Sequence, residues 1–71
     1  MSDDIKVKLS QRISQLRRKH GYTQQRLSEL ADLEYKHIQR LESKRPCDVK
    51  LSTLEKLARA FKMPLSKLLD F

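Results

Sequence analysis

The sequence predicts an all-α fold of five short helices, arranged as one small domain over residues 1–71. Apolar residues recur along the chain at intervals of three and four, which is the spacing of amphipathic helices. One glycine and two prolines are too few for the turns that many short strands would need. A chain of 71 residues is long enough for one hydrophobic core and too short for two.

The first two helices are predicted over about 4–20 and 24–31. Gly21 stands directly after the first helix, where a left-handed residue that ends a helix is expected. Thr23 offers its hydroxyl as the N-cap of the second helix. The expected inward-facing residues of these helices are Ile5, Leu9, Ile13, Leu16, Leu27, Leu30 and Ala31.

The other three helices are predicted over about 35–43, 51–61 and 64–70. Ser52 and Glu55 have the spacing of a capping box near the start of the fourth helix. Pro64 suits the first position of the fifth helix. The apolar stripes of these helices are formed by Ile38, Leu41, Leu54, Leu57, Ala58, Phe61, Leu65, Leu68 and Leu69.

The second and third helices form the most informative part of the sequence. Two short amphipathic helices joined by three residues have to cross steeply if they are to share a core. The outer face of the third helix then projects, and it carries Tyr35, Lys36, Gln39, Arg40 and Ser43. This face has no acidic and no aliphatic residue. Arginine and lysine can read guanine, glutamine can read adenine, and an aromatic edge can contact the thymine methyl group.

The charge of the chain also favours a nucleic-acid partner. The formal net charge is +7 and the pI is about 9.9, which is typical of nucleic-acid-binding domains, although anionic membranes and acidic proteins also attract such charge. No apolar run approaches the length of a membrane span, and Asp3 and Asp4 argue against a signal peptide. A single cysteine fits a reducing compartment. We therefore expect a cytoplasmic protein that does not contact membranes.

Two stretches resemble the lambda-repressor-like helix-turn-helix family of phage and bacterial regulators, of the Cro/repressor or XRE type. They are RISQLRRKHGYTQQRLSELADLEYKHIQRLES at 12–43 and LSTLEKLARAFKMPLSKLL at 51–69. The residues at the family's spacing are Arg17, Gly21, Thr23, Gln24, Leu27, Ile38, Leu41 and Glu42. The resemblance implies a sequence-specific, usually dimeric DNA-binding regulator whose third helix is the recognition helix. The chain departs from the family at Asp32, where glycine is usual, and in a longer loop at 43–50.

The resemblance also implies roles for individual residues. Tyr35, Lys36 and Arg40 match base-reading positions, and Gln39 joins them from the projecting face. Contacts to the DNA backbone are expected from Thr23, Gln24, Ser43, Lys44 and Arg45. Arg17 and Glu42 match an ion pair that links the first helix to the third.

Several of these residues also have a purely structural interpretation. Lys36, Gln39 and Arg40 could form an ordinary solvated helix face, and Tyr35 could pack against the second helix. His20 is expected as a partly buried residue at a helix end. The cluster Leu65, Leu68, Leu69 and Phe71 either completes the core of the monomer or forms a dimer interface. Cys47 and two scattered histidines lack the spacing of a zinc site, so no metal or cofactor is expected.

The favoured hypothesis is a homodimeric transcriptional regulator, such as a small repressor, which places 35–43 in the major groove of a palindromic operator. We expect no enzymatic activity, because the sequence has no ordered set of nucleophilic residues, and no small-molecule ligand. The length leaves no room for an effector domain, so protein concentration and dimerisation would provide control. The alternative is an antitoxin-like protein-interaction module on the same scaffold, which the apolar C-terminus favours.

Overall fold

Five α-helices follow one another in the structure, a computed structural model that describes residues 4–71. They are α1 (Ile5–Lys19), α2 (Gln24–Ala31), α3 (Tyr35–Leu41), α4 (Leu51–Ala60) and α5 (Leu65–Leu68). No strand occurs between residues 4 and 71, and the predicted all-α class is confirmed. The first three residues of the predicted domain, including Asp3, lie outside the described residues.

Side chains cap the starts of α1 and α2. The Asp4 carboxylate accepts a hydrogen bond from the backbone N–H of Lys6 at 2.9 Å. The Thr23 hydroxyl accepts one from the backbone N–H of Arg26 at 3.0 Å, which confirms the predicted cap. Each bond satisfies a donor that has no partner inside the helix.

Three helices end with one residue in the left-handed conformation. These residues are Gly21 (φ 73°), Asp32 (φ 55°) and Lys62 (φ 57°). In each case the backbone N–H of the following residue donates to a carbonyl oxygen in the last turn of the helix. The bond from Leu33 to the Ser28 carbonyl oxygen, at 2.9 Å, is an example. This ending reverses the chain direction abruptly after α2, so that α3 crosses it and packs against it.

The core is built from the inner faces of all five helices. Its fully buried large side chains are Ile13, Leu27, Ile38, Leu41, Leu57, Phe61 and Leu68. The rings of His20, Tyr22 and Phe61 pack together at the end of α1, although His20 is more exposed than predicted. Leu68 is fully buried in the core of its own monomer, which agrees with the first of its two predicted roles and leaves it no surface for a second copy.

Several details of the predicted helices differ in the structure. α3 ends at Leu41 and α5 has four residues, with Pro64 as its N-cap instead of its first helical residue. Ser52 and Glu55 form no capping box, because α4 begins at Leu51 and Ser52 already lies inside it. Ile5, which is 68% exposed, and Leu30 lie outside the core, because the core does not reach the first turn of α1 or the outer side of α2.

Replacing Asp32 with glycine tests whether the left-handed end of α2 is strained. Asp32→Gly should raise the free energy of unfolding by about 0.5–1 kcal/mol, because glycine adopts positive φ without a steric penalty. The control is Gln15→Gly on the exposed side of α1, which should lower it by about 0.5–1 kcal/mol. Urea denaturation measures both values, and destabilisation by Asp32→Gly would contradict the prediction.

Candidate nucleic-acid interface

The outer face of α3 is open to solvent. Tyr35 is 41% exposed, and Lys36, Gln39 and Arg40 are exposed beside it. On the opposite side of the helix, Ile38 and Leu41 are fully buried. The structure therefore brings the four predicted base-reading residues together on one accessible face, which carries two cations and no carboxylate.

A largely buried ion pair holds the C-terminal end of α3 against α1. Arg17 donates through Nε to Glu42 Oε2 at 2.8 Å and through Nη2 to Oε1 at 3.1 Å. The two side chains are only 14% and 6% exposed. A third donor of Arg17, Nη1, reaches the Tyr22 carbonyl oxygen at 2.9 Å. Such a two-point contact fixes orientation as well as distance, so it sets the angle of α3 relative to α1.

Glu42 also binds Gln24, the first residue of α2. The Gln24 Nε2 atom donates to Glu42 Oε1 at 3.3 Å. One carboxylate therefore joins α1, the start of α2 and the end of α3. The family resemblance predicts the Arg17–Glu42 pair. No spacing along the chain predicts the contact between Gln24 and Glu42.

The segment after α3 carries two exposed cations. Lys44 and Arg45 form no ion pair with any residue in 4–71. Ser43 is exposed, but its hydroxyl already donates to the Arg40 carbonyl oxygen at 2.7 Å. The Thr23 Oγ1 atom, by contrast, only accepts a hydrogen bond in the cap of α2, so its hydroxyl hydrogen remains available. Lys44 and Arg45 are thus the backbone-contact candidates with fully available charge.

A cleft of about 410 Å³ runs beside α3 and is lined by Glu34, Lys36, His37, Arg40 and Cys47. Sequence reasoning missed Glu34, because this residue precedes the helix and has no place on its helical face. In the part of the chain described, no group of three or more His, Cys, Asp and Glu side chains is placed to hold a metal ion. No described helix combines the length and apolar character that a membrane crossing requires.

A family model described as the Cro/C1-type HTH DNA-binding domain matches residues 12–71. The chain belongs to this family. The match begins inside α1 and includes α2, α3, α4 and α5, so it covers every candidate residue named above. No curated protein matches the chain. As a Cro/C1-type domain, the chain is a helix-turn-helix DNA-binding protein, with α2 and α3 as the helix-turn-helix.

Glu42→Gln tests how far the fold of this Cro/C1-type domain depends on the buried carboxylate. The substitution keeps the shape of the side chain but leaves Arg17 as a largely buried cation without a counter-charge. We expect a loss of about 1–3 kcal/mol in the free energy of unfolding. The matched control, Glu55→Gln, affects an exposed pair 3.8 Å from Arg59 and should change it by less than about 0.5 kcal/mol. Equal effects in urea denaturation would contradict a special role for Glu42.

Proposed function

We propose that the protein is a sequence-specific transcriptional regulator that binds a palindromic DNA operator as a homodimer. The observation that carries this proposal is the exposed α3 face without acidic residues, held at a fixed angle by the buried Arg17–Glu42 pair. A helix of this width fits the major groove of B-DNA. The outer face of α3 would then contact base edges, while residues at the start of α2 and directly after α3 contact phosphates.

Contacts to bases and contacts to phosphates have separate tasks in this proposal. Tyr35, Lys36, Gln39 and Arg40 read base edges and provide specificity. Phosphate contacts determine affinity and register, and we assign them to Thr23, Gln24, Ser43, Lys44 and Arg45. The hydrogen bond from Gln24 to Glu42 leaves the second N–H of the amide for a phosphate oxygen. Thr23 can donate its hydroxyl hydrogen to a phosphate oxygen, because its Oγ1 atom only accepts in the cap of α2. The hydroxyl and the backbone N–H of Ser43 both donate to the Arg40 carbonyl oxygen, so its hydroxyl has to rotate to donate to a phosphate.

The dimer would form through the apolar surface where α1, α4 and the C-terminal residues meet. A hollow of about 410 Å³ is lined there by Ile5, Lys8, Leu9, Leu54, Leu69 and Phe71. Phe71 is 48% exposed, Leu69 is exposed, and Leu65 is half-buried against the core. Arg12 holds this end of the chain by donating to the Lys67 carbonyl oxygen at 2.8 Å and the Leu68 carbonyl oxygen at 3.2 Å. A two-fold dimer would place two α3 helices about one DNA turn apart, near 34–36 Å.

The regulatory outcome we favour is repression, by occupation of an operator in the cytoplasm. We treat residues 1–71 as one DNA-binding domain and assign no catalytic step and no small-molecule ligand to it. Occupancy would depend on protein concentration, because dimerisation brings two half-site contacts into one binding event.

A protein-interaction module is the second candidate, and the exposed apolar surface around Phe71 favours it. Titration of a random duplex at several salt concentrations separates the two functions. A DNA-binding regulator should lose affinity steeply as salt rises, because it releases counterions from the phosphates it contacts. A protein adaptor should bind little DNA at any salt concentration.

Two alanine substitutions test the division between base and phosphate contacts. Arg40→Ala should cost about 1–3 kcal/mol on the preferred operator and relax specificity at one base pair. Lys44→Ala should weaken binding to all sequences equally and reduce the salt slope by about one. Fluorescence anisotropy with operator and random duplexes measures both effects. Equal losses on the two duplexes for Arg40→Ala would contradict base reading by this residue.

A charged substitution tests the proposed dimer surface. Phe71→Asp should weaken self-association at least tenfold, which corresponds to about 1.4 kcal/mol, because it places a charge in an apolar contact. Leu30→Asp is the control, since Leu30 is an exposed apolar residue on α2, outside the hollow. Sedimentation equilibrium measures the association constant. A chain that remains monomeric before substitution, or equal effects of the two changes, would contradict this surface.

A further inference from the structure

The residue directly before α3 carries a carboxylate that the base-reading face lacks. We propose that Glu34 is a specificity-determining residue that selects cytosine by accepting a hydrogen bond from its exocyclic amine in the major groove. The inference rests on the proposed function, and it adds one defined base to the operator. It also assigns a DNA-reading role to a residue outside the α3 helix.

The way α3 begins is the first observation. Glu34 is the N-cap residue, with φ −72° and ψ 145°, yet its side chain makes no capping hydrogen bond. By contrast, Asp4 and Thr23 cap their helices with side-chain oxygens. Lys50 and Pro64 have no side-chain acceptor, so Glu34 is the N-cap residue within 4–71 whose acceptor stays unused for capping.

The choice of glutamate over aspartate is informative. Aspartate would place the same negative charge near the positive end of the helix and would also supply the missing cap. Glutamate has one methylene more than aspartate, and its longer side chain leaves the cap position of α3 unfilled. A residue that breaks a local rule at the tip of a binding helix is a candidate for function.

The position of the carboxylate is the second observation. Glu34 is exposed, and it forms neither an ion pair nor a hydrogen bond through its side chain with any residue from 4 to 71. It lines the same cleft as Lys36 and Arg40. The recognition helix of a helix-turn-helix contacts base edges through its N-terminal residues. A carboxylate at this point therefore lies among the groups that meet bases.

The chemistry of the base edges selects one base. In the major groove cytosine presents its N4 amine as a donor. Guanine presents two acceptors and thymine presents O4, so both repel a carboxylate. Adenine places its N7 acceptor beside the N6 donor, which makes it a poorer partner than cytosine. Glutamine, in contrast, forms a two-point contact with adenine N6 and N7.

The test is selection of bound sequences from a random duplex pool, followed by anisotropy titration of the recovered operator at one salt concentration. The proteins are the original chain, Glu34→Gln, Glu34→Ser and the control Glu55→Gln, which makes the same charge change on α4. We expect the original chain to select cytosine at one position of each half-site. It should bind a duplex with thymine there about tenfold or more weakly.

The variants give the decisive comparison. Glu34→Gln should change the preferred base at that one position from cytosine to adenine. Glu34→Ser should lose the preference there while keeping the rest of the motif, and Glu55→Gln should retain the whole motif. Thermal unfolding checks that the variants are folded, and Glu34→Ser should be at least as stable as the original because serine can cap α3.

Three results would overturn the proposal, and the last of them is distinguishable from the first two. An unchanged motif with Glu34→Gln and Glu34→Ser would refute base reading by Glu34 while leaving the DNA-binding function intact. If Glu34→Gln and Glu34→Ser instead raise the affinity equally for all DNA sequences, base reading is also refuted, because Glu34 then only repels phosphates. Failure of the original chain to enrich any motif would overturn sequence-specific regulation, and the cytosine contact with it.

Discussion

The buried carboxylate of Glu42 is the constraint on which the arrangement of the helices depends. A charge that is only 6% exposed destabilises a fold unless it is paired and hydrogen-bonded. Arg17 and Gln24 together supply three hydrogen bonds to its two oxygens. Since these partners belong to α1 and α2, the end of α3 can shift only if these bonds are lost.

Apolar packing and chain reversal complete the support of α3. Ile38 and Leu41 bury one side of the helix, so the opposite side has to face solvent. The left-handed Asp32 turns the chain between α2 and α3 within three residues. A helix of seven residues is marginal by itself, so its conformation depends on these contacts. The result is a short helix, supported from behind and from its C-terminal end, whose outer face remains available.

The parts of the fold that depend on local chemistry could be predicted from the sequence. Gly21 and Thr23 mark a helix end and a helix start through backbone preferences, and the apolar stripe of α3 identifies its inner side. Properties that depend on tertiary packing could not be predicted. The exposure of Ile5 reflects where the core ends, and the burial of Leu68 reflects how the short α5 docks. Glu34 was missed as a candidate because helical periodicity describes residues within a helix and not the residue before it.

Amide chemical-shift mapping tests most directly whether the supported face of α3 is the DNA-binding surface. The ¹⁵N-labelled protein would be titrated with a DNA duplex at low salt. The largest shifts should cluster at the start of α2, along α3 and in the following residues to Arg45. Shifts centred on the outer sides of α1 and α4, with residues 34–45 unchanged, would contradict the placement of α3 in the groove.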